Sequence, residues 1–231
     1  MPLTGLSWAR IREHLRKTAP IYIVGVIIMI FVSDILFTST RPQIPDDQEV
    51  LVYLVDGYSQ PNLLDSLCAD ALAYAQSTDD MLLSVRAESI PYNDPEKDYT
   101  SAVVLVARMA LGDGDAYFAN ATALESIAAN GGCYPLDEWL DAGWLEDLGL
   151  EKWTYTETDE VSGTEKTYTA ALSLDKIDAL RDNGIFENRG AYLVIASNGG
   201  NIATTRETVT YMLTQLAEGN YVPAATEEPA A

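Results

Sequence analysis

The hydrophobic pattern changes sharply near residue 38. Residues 20–38 (PIYIVGVIIMIFVSDILFT) are almost wholly apolar, whereas polar positions interrupt the rest of the chain. As a helix, 19 residues reach about 28 Å, which is close to the roughly 30 Å hydrocarbon core of a bilayer. The pattern therefore predicts a transmembrane helix over 20–38.

Beyond a polar, proline-containing linker at 39–49, apolar runs of strand length alternate with helical patterns. Predicted strands lie at 49–56, 82–90, 115–119, 166–174 and 191–196. Predicted helices lie at 61–76, 99–111, 122–130, 175–183 and 204–217. Segments 133–153 and 154–163 are interpreted as short helical turns and an acidic, turn-rich stretch. Such alternation predicts an α/β domain with parallel strands over 50–219, followed by a flexible tail at 220–231.

Charge gives the predicted span a direction. The segment 1–19 is basic, with Arg10, Arg12, Arg16 and Lys17 against Glu13, although the whole chain has a net charge of −21. Because basic flanks stay inside, we expect a cytoplasmic segment at 1–19 and a single-pass cell-membrane protein whose acidic domain is extracytoplasmic. An acidic domain repels phosphate backbones, which excludes nucleic acid as a partner.

Two questions about this segment stay open. A cleaved signal peptide is the competing interpretation, but its apolar region would span about 7–15 residues and end in an Ala-x-Ala-like site. Thr38-Ser39-Thr40 matches such a site poorly. Asp34 lies near the outer end of the span, where its carboxylate either reaches the headgroup region or contacts a partner helix.

Four stretches carry a family resemblance. They are LVYLVDGY (51–58), ALGDGDAYFANATALESIAANGGCYPLDEWL (110–140), GTEKTYTAALSL (163–174) and AYLVIASNGGNIATTRETVTYML (191–213). Together they resemble one lobe of an extracellular solute-binding protein, of the sugar-binding kind that serves ABC importers. The resemblance implies a periplasmic-binding-protein-like mixed sheet flanked by helices, with the strand at 191–196 antiparallel to the first three. The chain has room for one lobe only, so closure of two lobes over a solute is not expected.

Candidate ligand-binding residues follow from the sheet. Ligands of open α/β sheets sit at the carboxyl ends of the strands, which selects Tyr58, Ser59, Tyr92, Asn93 and Asn120. Tyrosine rings stack on sugar faces and amides bond hydroxyls, although polar residues also collect at strand ends for structural reasons. The residues around Asn120 are small, where sugar binders often carry aromatic or charged side chains. Tight sugar binding at this edge is therefore not expected.

Catalytic and metal chemistry find little support. The only histidine, His14, lies in the predicted cytoplasmic segment, so the domain lacks an imidazole for Ser-His or Cys-His catalysis. Asp94, Glu96 and Asp98 are spaced like the start of a calcium loop but lack its glycine and distant glutamate. No metal or cofactor is expected. A carboxylate-dependent hydrolase stays open as a third class of function, because paired carboxylates alone support glycoside hydrolysis.

The two cysteines are Cys68 and Cys133. An exported domain permits a disulfide between them. With a strand order of 2-1-3, however, the helices near these cysteines lie on opposite faces of the sheet, which favours two buried free thiols.

Together these observations predict a membrane-anchored, noncatalytic binding module that engages a protein partner at the membrane surface. Recognition of a small-molecule solute for an ABC importer is the alternative. A protein-binding module should expose an apolar patch away from the strand ends. A solute binder should instead have an aromatic-lined polar pocket at them.

Overall fold

A computed structural model of the protein describes residues 44–92, 99–158, 163–186, 190–221 and 223, together with Met29 and Val32. The chain forms two compact units, residues 1–43 and 44–231. The predicted span 20–38 and its basic flank lie outside the described residues, apart from Met29 and Val32. Within the described parts of the chain, no helix is both long enough and apolar enough to cross a membrane.

A six-stranded sheet forms the centre of the second unit. Its strands are Glu49–Asp56 (β1), Ser84–Pro91 (β2), Ala116–Ala119 (β3), Lys152–Thr158 (β4), Glu165–Ser173 (β5) and Tyr192–Ile195 (β6), in the order β2-β1-β3-β6-β5-β4. Strand β1 pairs in parallel with β2 and β3, whereas β6 runs antiparallel to β3 and β5. The predicted mixed sheet, its 2-1-3 order and its antiparallel last strand are confirmed.

The helices cover both faces of this sheet. They are Asp65–Ala75 (α1), Tyr99–Leu111 (α2), Ala121–Ala129 (α3), Asp137–Asp141 (α4), Asp178–Asp182 (α5) and Ile202–Ala217 (α6), with 3₁₀ turns at Asp46–Gln48, Pro61–Leu64 and Glu146–Leu148. Asn120 and Asn201 cap α3 and α6, because each side chain accepts a hydrogen bond from a backbone N–H of the first turn. The five predicted helices are confirmed, with small shifts at their ends.

The prediction is wrong for residues 152–158, where helical and acidic turns were expected and β4 is found. Trp153 and Tyr155 alternate with polar residues, which is a strand pattern, and their rings stack with centroids 6.0 Å apart. The strand pairs antiparallel with β5 and has an irregular register between Trp153 and Thr154. Acidic and threonine-rich composition concealed this alternation, because an edge strand buries little of its length.

Successive residues of β1 face opposite sides, and this alternation divides the core in two. Val50, Val52 and Leu54 pack with α1 and α6 on one face, whereas Leu51, Tyr53 and Val55 pack with α2 and α3 on the other. Cys68 belongs to the first cluster and Cys133 to the second, and both are free and buried. Burial raises the pKa of each thiol to about 12. The favoured interpretation of two buried free thiols agrees with the structure.

A buried carboxylate, Asp115, joins three parts of the domain just before β3. Its two oxygens accept hydrogen bonds from the backbone N–H groups of Leu51 at 2.9 Å and Gly200 at 3.1 Å. Burial raises the pKa of Asp115 to about 6, although these backbone donors act in the opposite direction. The side chain thus ties the start of β1 to the loop that leads into α6.

We predict that Asp115 makes the domain more stable as the pH falls from 7 to 5. A carboxyl with a folded pKa of about 6 and an ordinary value of 3.8 favours the folded state once protonated. That contribution is complete below the ordinary value and is lost as the pH rises through about 6. Linkage gives about 1.4 kcal/mol between pH 7 and pH 5. Urea unfolding at several pH values should show this difference between the parent protein and Asp115→Asn, and parallel pH profiles would contradict it.

We also predict that Gly114→Ala is much more damaging than Gly131→Ala. Both glycines have positive φ, at +117° and +69°. A Cβ on Gly114 would lie 2.7 Å from the Tyr53 ring, whereas one on Gly131 would meet nothing within 4 Å. Strain alone should cost about 1–2 kcal/mol in both variants, and overpacking should add about 1–3 kcal/mol at Gly114. Equal free energies of unfolding in urea would refute the close approach to Tyr53.

Candidate functional site

Asn120 contacts one of the other predicted strand-end residues, Tyr92, and also Asp56 at the end of β1. Its Oδ1 accepts from the N–H of Ala123 at 2.8 Å, and its Nδ2 donates to Asp56 Oδ1 at 3.0 Å and to the carbonyl of Tyr92 at 2.8 Å. Asp56 also accepts from the N–H of Gly57. One amide therefore connects the carboxyl ends of β1, β2 and β3, and all its donors and its acceptor have partners within the fold.

The other predicted residues differ in exposure. Tyr92 is only 2% exposed and belongs to the core, whereas Tyr58 is 52% exposed. The hydroxyl oxygens of Ser59 and Ser89 lie 2.9 Å apart, and the Tyr58 hydroxyl accepts a hydrogen bond from Gln60 Nε2. Asn93 lies outside the described residues. At this edge the polar groups largely satisfy one another, and a ligand-binding role for them stays a prediction.

The sequence analysis missed an aromatic groove along α6. It lies near the amino ends of the parallel strands, at the end of the sheet opposite to Asn120. The backbone N–H of Leu83 donates to the carbonyl of Gln48, and the Asp79 carboxylate accepts from the Thr204 hydroxyl. The turn after α1 therefore lies beside the starts of β1 and α6. The groove has a volume of about 680 Å³. Its lining residues are Tyr74, Tyr134, Trp139, Trp144, Ile202, Ala203, Arg206, Glu207 and Thr210.

Ring contacts hold the walls of this aromatic groove in place. The ring centroid of Trp139 lies 5.0 Å from that of Tyr134 and 5.0 Å from that of Trp144. The two tryptophan rings meet edge to face. Trp144 donates its Nε1–H to Thr210 Oγ1 at 2.7 Å, which attaches this wall to α6. Tyr74 forms the other wall and stacks on Tyr211 with centroids 4.7 Å apart.

Arg206 distinguishes the groove from the rest of the surface. The arginines at 86, 108 and 181 each form an ion pair with a nearby carboxylate. In the described chain, Arg206 has no such pair, and its guanidinium lies 5.3 Å from the centre of the Trp139 ring. A guanidinium that lies against an aromatic ring and has no carboxylate partner can accept an anionic or polar group as a hydrogen-bond partner.

A second surface feature is the apolar face of α2. Five large apolar side chains of this helix are exposed: Tyr99, Val103, Val104, Val106 and Leu111. The exposed fraction is 77% for Tyr99 and 79% for Leu111. The helix buries only Leu105 and Met109. The solvent side of a surface helix is normally polar or charged, so this face differs from an ordinary solvated helix surface.

Metal ligation has no support in the described residues, where no group of three or more His, Cys, Asp or Glu side chains is placed to hold an ion. The stretch with Asp94, Glu96 and Asp98 lies outside them. In the aromatic groove, the only carboxylate in the lining is Glu207.

Comparison with known proteins gives little further information. No protein-family model and no curated protein matches the chain. The solved structure of apo ferric ion-binding protein A from Pasteurella haemolytica is similar with a TM-score of 0.38 and 11% identity, covering 80% of this chain and 87% of that one. A likeness this distant does not indicate what the present chain binds.

We predict that Asn120→Ala destabilises the domain, whereas Tyr58→Ala leaves its stability nearly unchanged. The first substitution removes a helix cap and leaves Asp56 and the carbonyl of Tyr92 without their amide partner. Losing a cap costs about 1 kcal/mol, and loss of the hydrogen bond to the buried carbonyl of Tyr92 adds about 1–3 kcal/mol. Tyr58 is half exposed, so its loss should cost no more than about 0.5 kcal/mol. Thermal unfolding of both variants checks this difference, and equal stability would contradict the structural role of Asn120.

Proposed function

We propose that this chain is a noncatalytic, membrane-anchored binding module that docks a partner protein through the apolar face of α2. The observation that carries the proposal is the exposure of five large apolar side chains on one helix that buries only Leu105 and Met109. Exposed apolar patches on soluble domains mark interaction sites. This patch lies on the crossover helix between β2 and β3.

The spacing on α2 fits a partner that also presents a helix. Tyr99, Val103, Val106 and Ala110 recur at intervals of four, three and four residues, and all four are exposed. This spacing makes a straight apolar stripe that another helix can pack against at about 8–10 Å. The only charged residue of α2 is Arg108, and it is already paired with Asp113. Apolar complementarity rather than charge therefore defines the partner.

A different protein is a better occupant than a second copy of the chain. Two copies, each with a net charge of −21, repel one another. One face of a 13-residue helix is about 20 Å long and covers a few hundred Å², whereas a stable interface buries about 800 Å² per partner. The span 20–38 compensates for this small area in our proposal, because it holds the domain beside other membrane proteins at high effective concentration.

Among the described residues at the carboxyl ends of the strands, the rival functions have weaker support. Solute recognition at the strand ends would need Asn120, whose amide groups already have partners within the fold. A carboxylate-dependent hydrolase would need two carboxyl groups facing one cleft. The absence of histidine from residues 15–231 supports a noncatalytic role, because the common nucleophile-activating base is missing.

We predict that a photo-reactive benzoylphenylalanine in place of Tyr99, on the apolar stripe of α2, cross-links to a specific membrane protein in intact cells. The same group in place of Met81 is the matched control, because Met81 is also exposed and apolar but lies in the turn after α1. The double substitution Val103→Gln and Val106→Gln removes two apolar contacts without changing the charge and without lowering helix propensity. It should weaken capture of the cross-linked partner at least tenfold, whereas Met81→Gln should not.

Circular dichroism should show the same helix content in all these variants. Cross-linking from position 99 to a second copy, or to lipid, would refute a separate protein partner. Equal capture by the α2 variant and the Met81→Gln control would refute the apolar face of α2 as the docking site.

A further inference from the structure

We propose that the aromatic groove along α6 binds a hydroxylated ring carboxylate, the chemistry of a uronic acid. The groove and the apolar face of α2 lie on opposite faces of the sheet, because α1 and α6 pack on one face and α2 on the other. It is also distinct from the strand-end residues, which lie at the opposite edge. The proposal therefore concerns a separate site, and it does not depend on the proposed protein partner.

The size of the groove fits a small molecule. Its volume of about 680 Å³ lies within the range of about 300–1,000 Å³ that is usual for ligand pockets. Five of its lining residues lie on one face of α6, from Ile202 to Thr210. At about 1.5 Å per residue this floor is about 12 Å long, which accommodates one or two sugar rings.

Arg206 selects a carboxylate. Its guanidinium faces the Trp139 ring at 5.3 Å and forms no ion pair with a described residue. A planar guanidinium can donate two parallel hydrogen bonds to a carboxylate while its flat face stays on an aromatic ring. Thr210 holds the neighbouring wall, since its hydroxyl accepts from Trp144 Nε1 and donates to the backbone carbonyl of Arg206 at 2.6 Å. The contact with the Trp139 ring places the cation in the groove before a ligand arrives.

The aromatic walls of the groove favour a ligand that contains a saturated ring. Tyr74 is 49% exposed although one of its faces lies against Tyr211. The electron-rich faces of such rings attract the C–H groups of a saturated ring. Tyr134 and Trp139 supply further ring surface on the opposite wall. A linear dicarboxylate would leave most of this surface uncovered.

Glu207 distinguishes a hydroxylated ligand from a plain aromatic acid. This carboxylate lines the groove next to Arg206 and, in the described chain, forms no ion pair. It can only accept hydrogen bonds when ionised, so the ligand must bring donors, and sugar hydroxyl groups do so. An aromatic acid would bring only another negative charge. The net charge of −21 also disfavours long polyanions, which leaves a ligand with a single carboxylate.

Tryptophan fluorescence of the full chain in neutral detergent tests this proposal with three probes. Galacturonate and galactose differ only in whether the exocyclic carbon is a carboxylate or a CH₂OH group, and benzoate has a carboxylate on an aromatic ring without hydroxyl groups. Galacturonate should give a saturable change at millimolar concentration or below. Galactose and benzoate should each bind at least tenfold more weakly, because a charge-assisted or several neutral hydrogen bonds are lost.

Variants assign the effect to individual side chains. Arg206→Gln should weaken galacturonate binding at least tenfold and leave the weak galactose binding unchanged, whereas Tyr74→Ala should weaken both. Arg181→Gln is the matched control, because Arg181 is an exposed arginine with carboxylate partners outside the groove. It should have no effect. Circular dichroism should confirm that each variant is folded.

The proposal fails if the parent protein shows no saturable response to galacturonate up to about 10 mM, which is tenfold above the weakest dissociation constant expected here. It also fails if galactose or benzoate binds as tightly as galacturonate, or if Arg206→Gln leaves the galacturonate affinity unchanged. The Val103→Gln and Val106→Gln variant should bind galacturonate normally. Failure at the groove and failure at the apolar face of α2 are therefore separate outcomes.

Discussion

Enclosure of β1 on both faces and both edges is the constraint on which the domain depends. Every residue from Val50 to Asp56 is buried, and β2 and β3 occupy the two edges. A strand that is apolar on both faces requires a covering layer on each side. Helices α1 and α6 supply one layer, and α2 and α3 supply the other. The two layers are unequal, because α2 contributes only Leu105 and Met109 to the core. The apolar outer face of α2 is therefore not explained by covering β1.

Enclosure also determines how the polar groups at the two ends of the sheet are used. Backbone and carboxylate groups that lose water must find partners within the fold. Asp115 meets the N–H of Leu51 at one end, and Asn120 meets Asp56 at the other. These side chains hold neighbouring strands in register. Most of their hydrogen-bonding capacity is therefore used within the fold. The groove along α6 differs, because Arg206 and Glu207 lie outside the enclosed layers and have no carboxylate or cationic partner in the described chain.

The sequence predicted the fold better than the site, and the reason is the range of the interactions. Five strands and five helices were predicted from hydrophobic periodicity, which can be recognised within a short stretch of sequence. Strand β4 was missed because Trp153 and Tyr155 alternate within an acidic stretch that is mostly exposed. The strand-end residues were chosen for polarity, but no local pattern shows that the Asn120 amide bonds Asp56, 64 positions away. The aromatic groove brings Tyr74 and Trp139 together with Arg206, and this contact exists only after the helices pack. Clustered aromatic residues at 134, 139 and 144 were the one available signal.

The two candidate surfaces also differ in the physical force that each can use. The face of α2 is uncharged apart from the paired Arg108, so association there is driven by apolar burial and changes little with salt. The groove presents Arg206 against aromatic rings, so binding there depends on a charge-assisted contact in a strongly acidic chain. Because the sheet separates them, a ligand in the groove leaves the α2 face accessible. Coupling between the two sites would have to pass through β1, which contacts both helical layers and is closely packed. Such a strand has no room for a second arrangement, and the simplest consequence is two sites that are occupied independently.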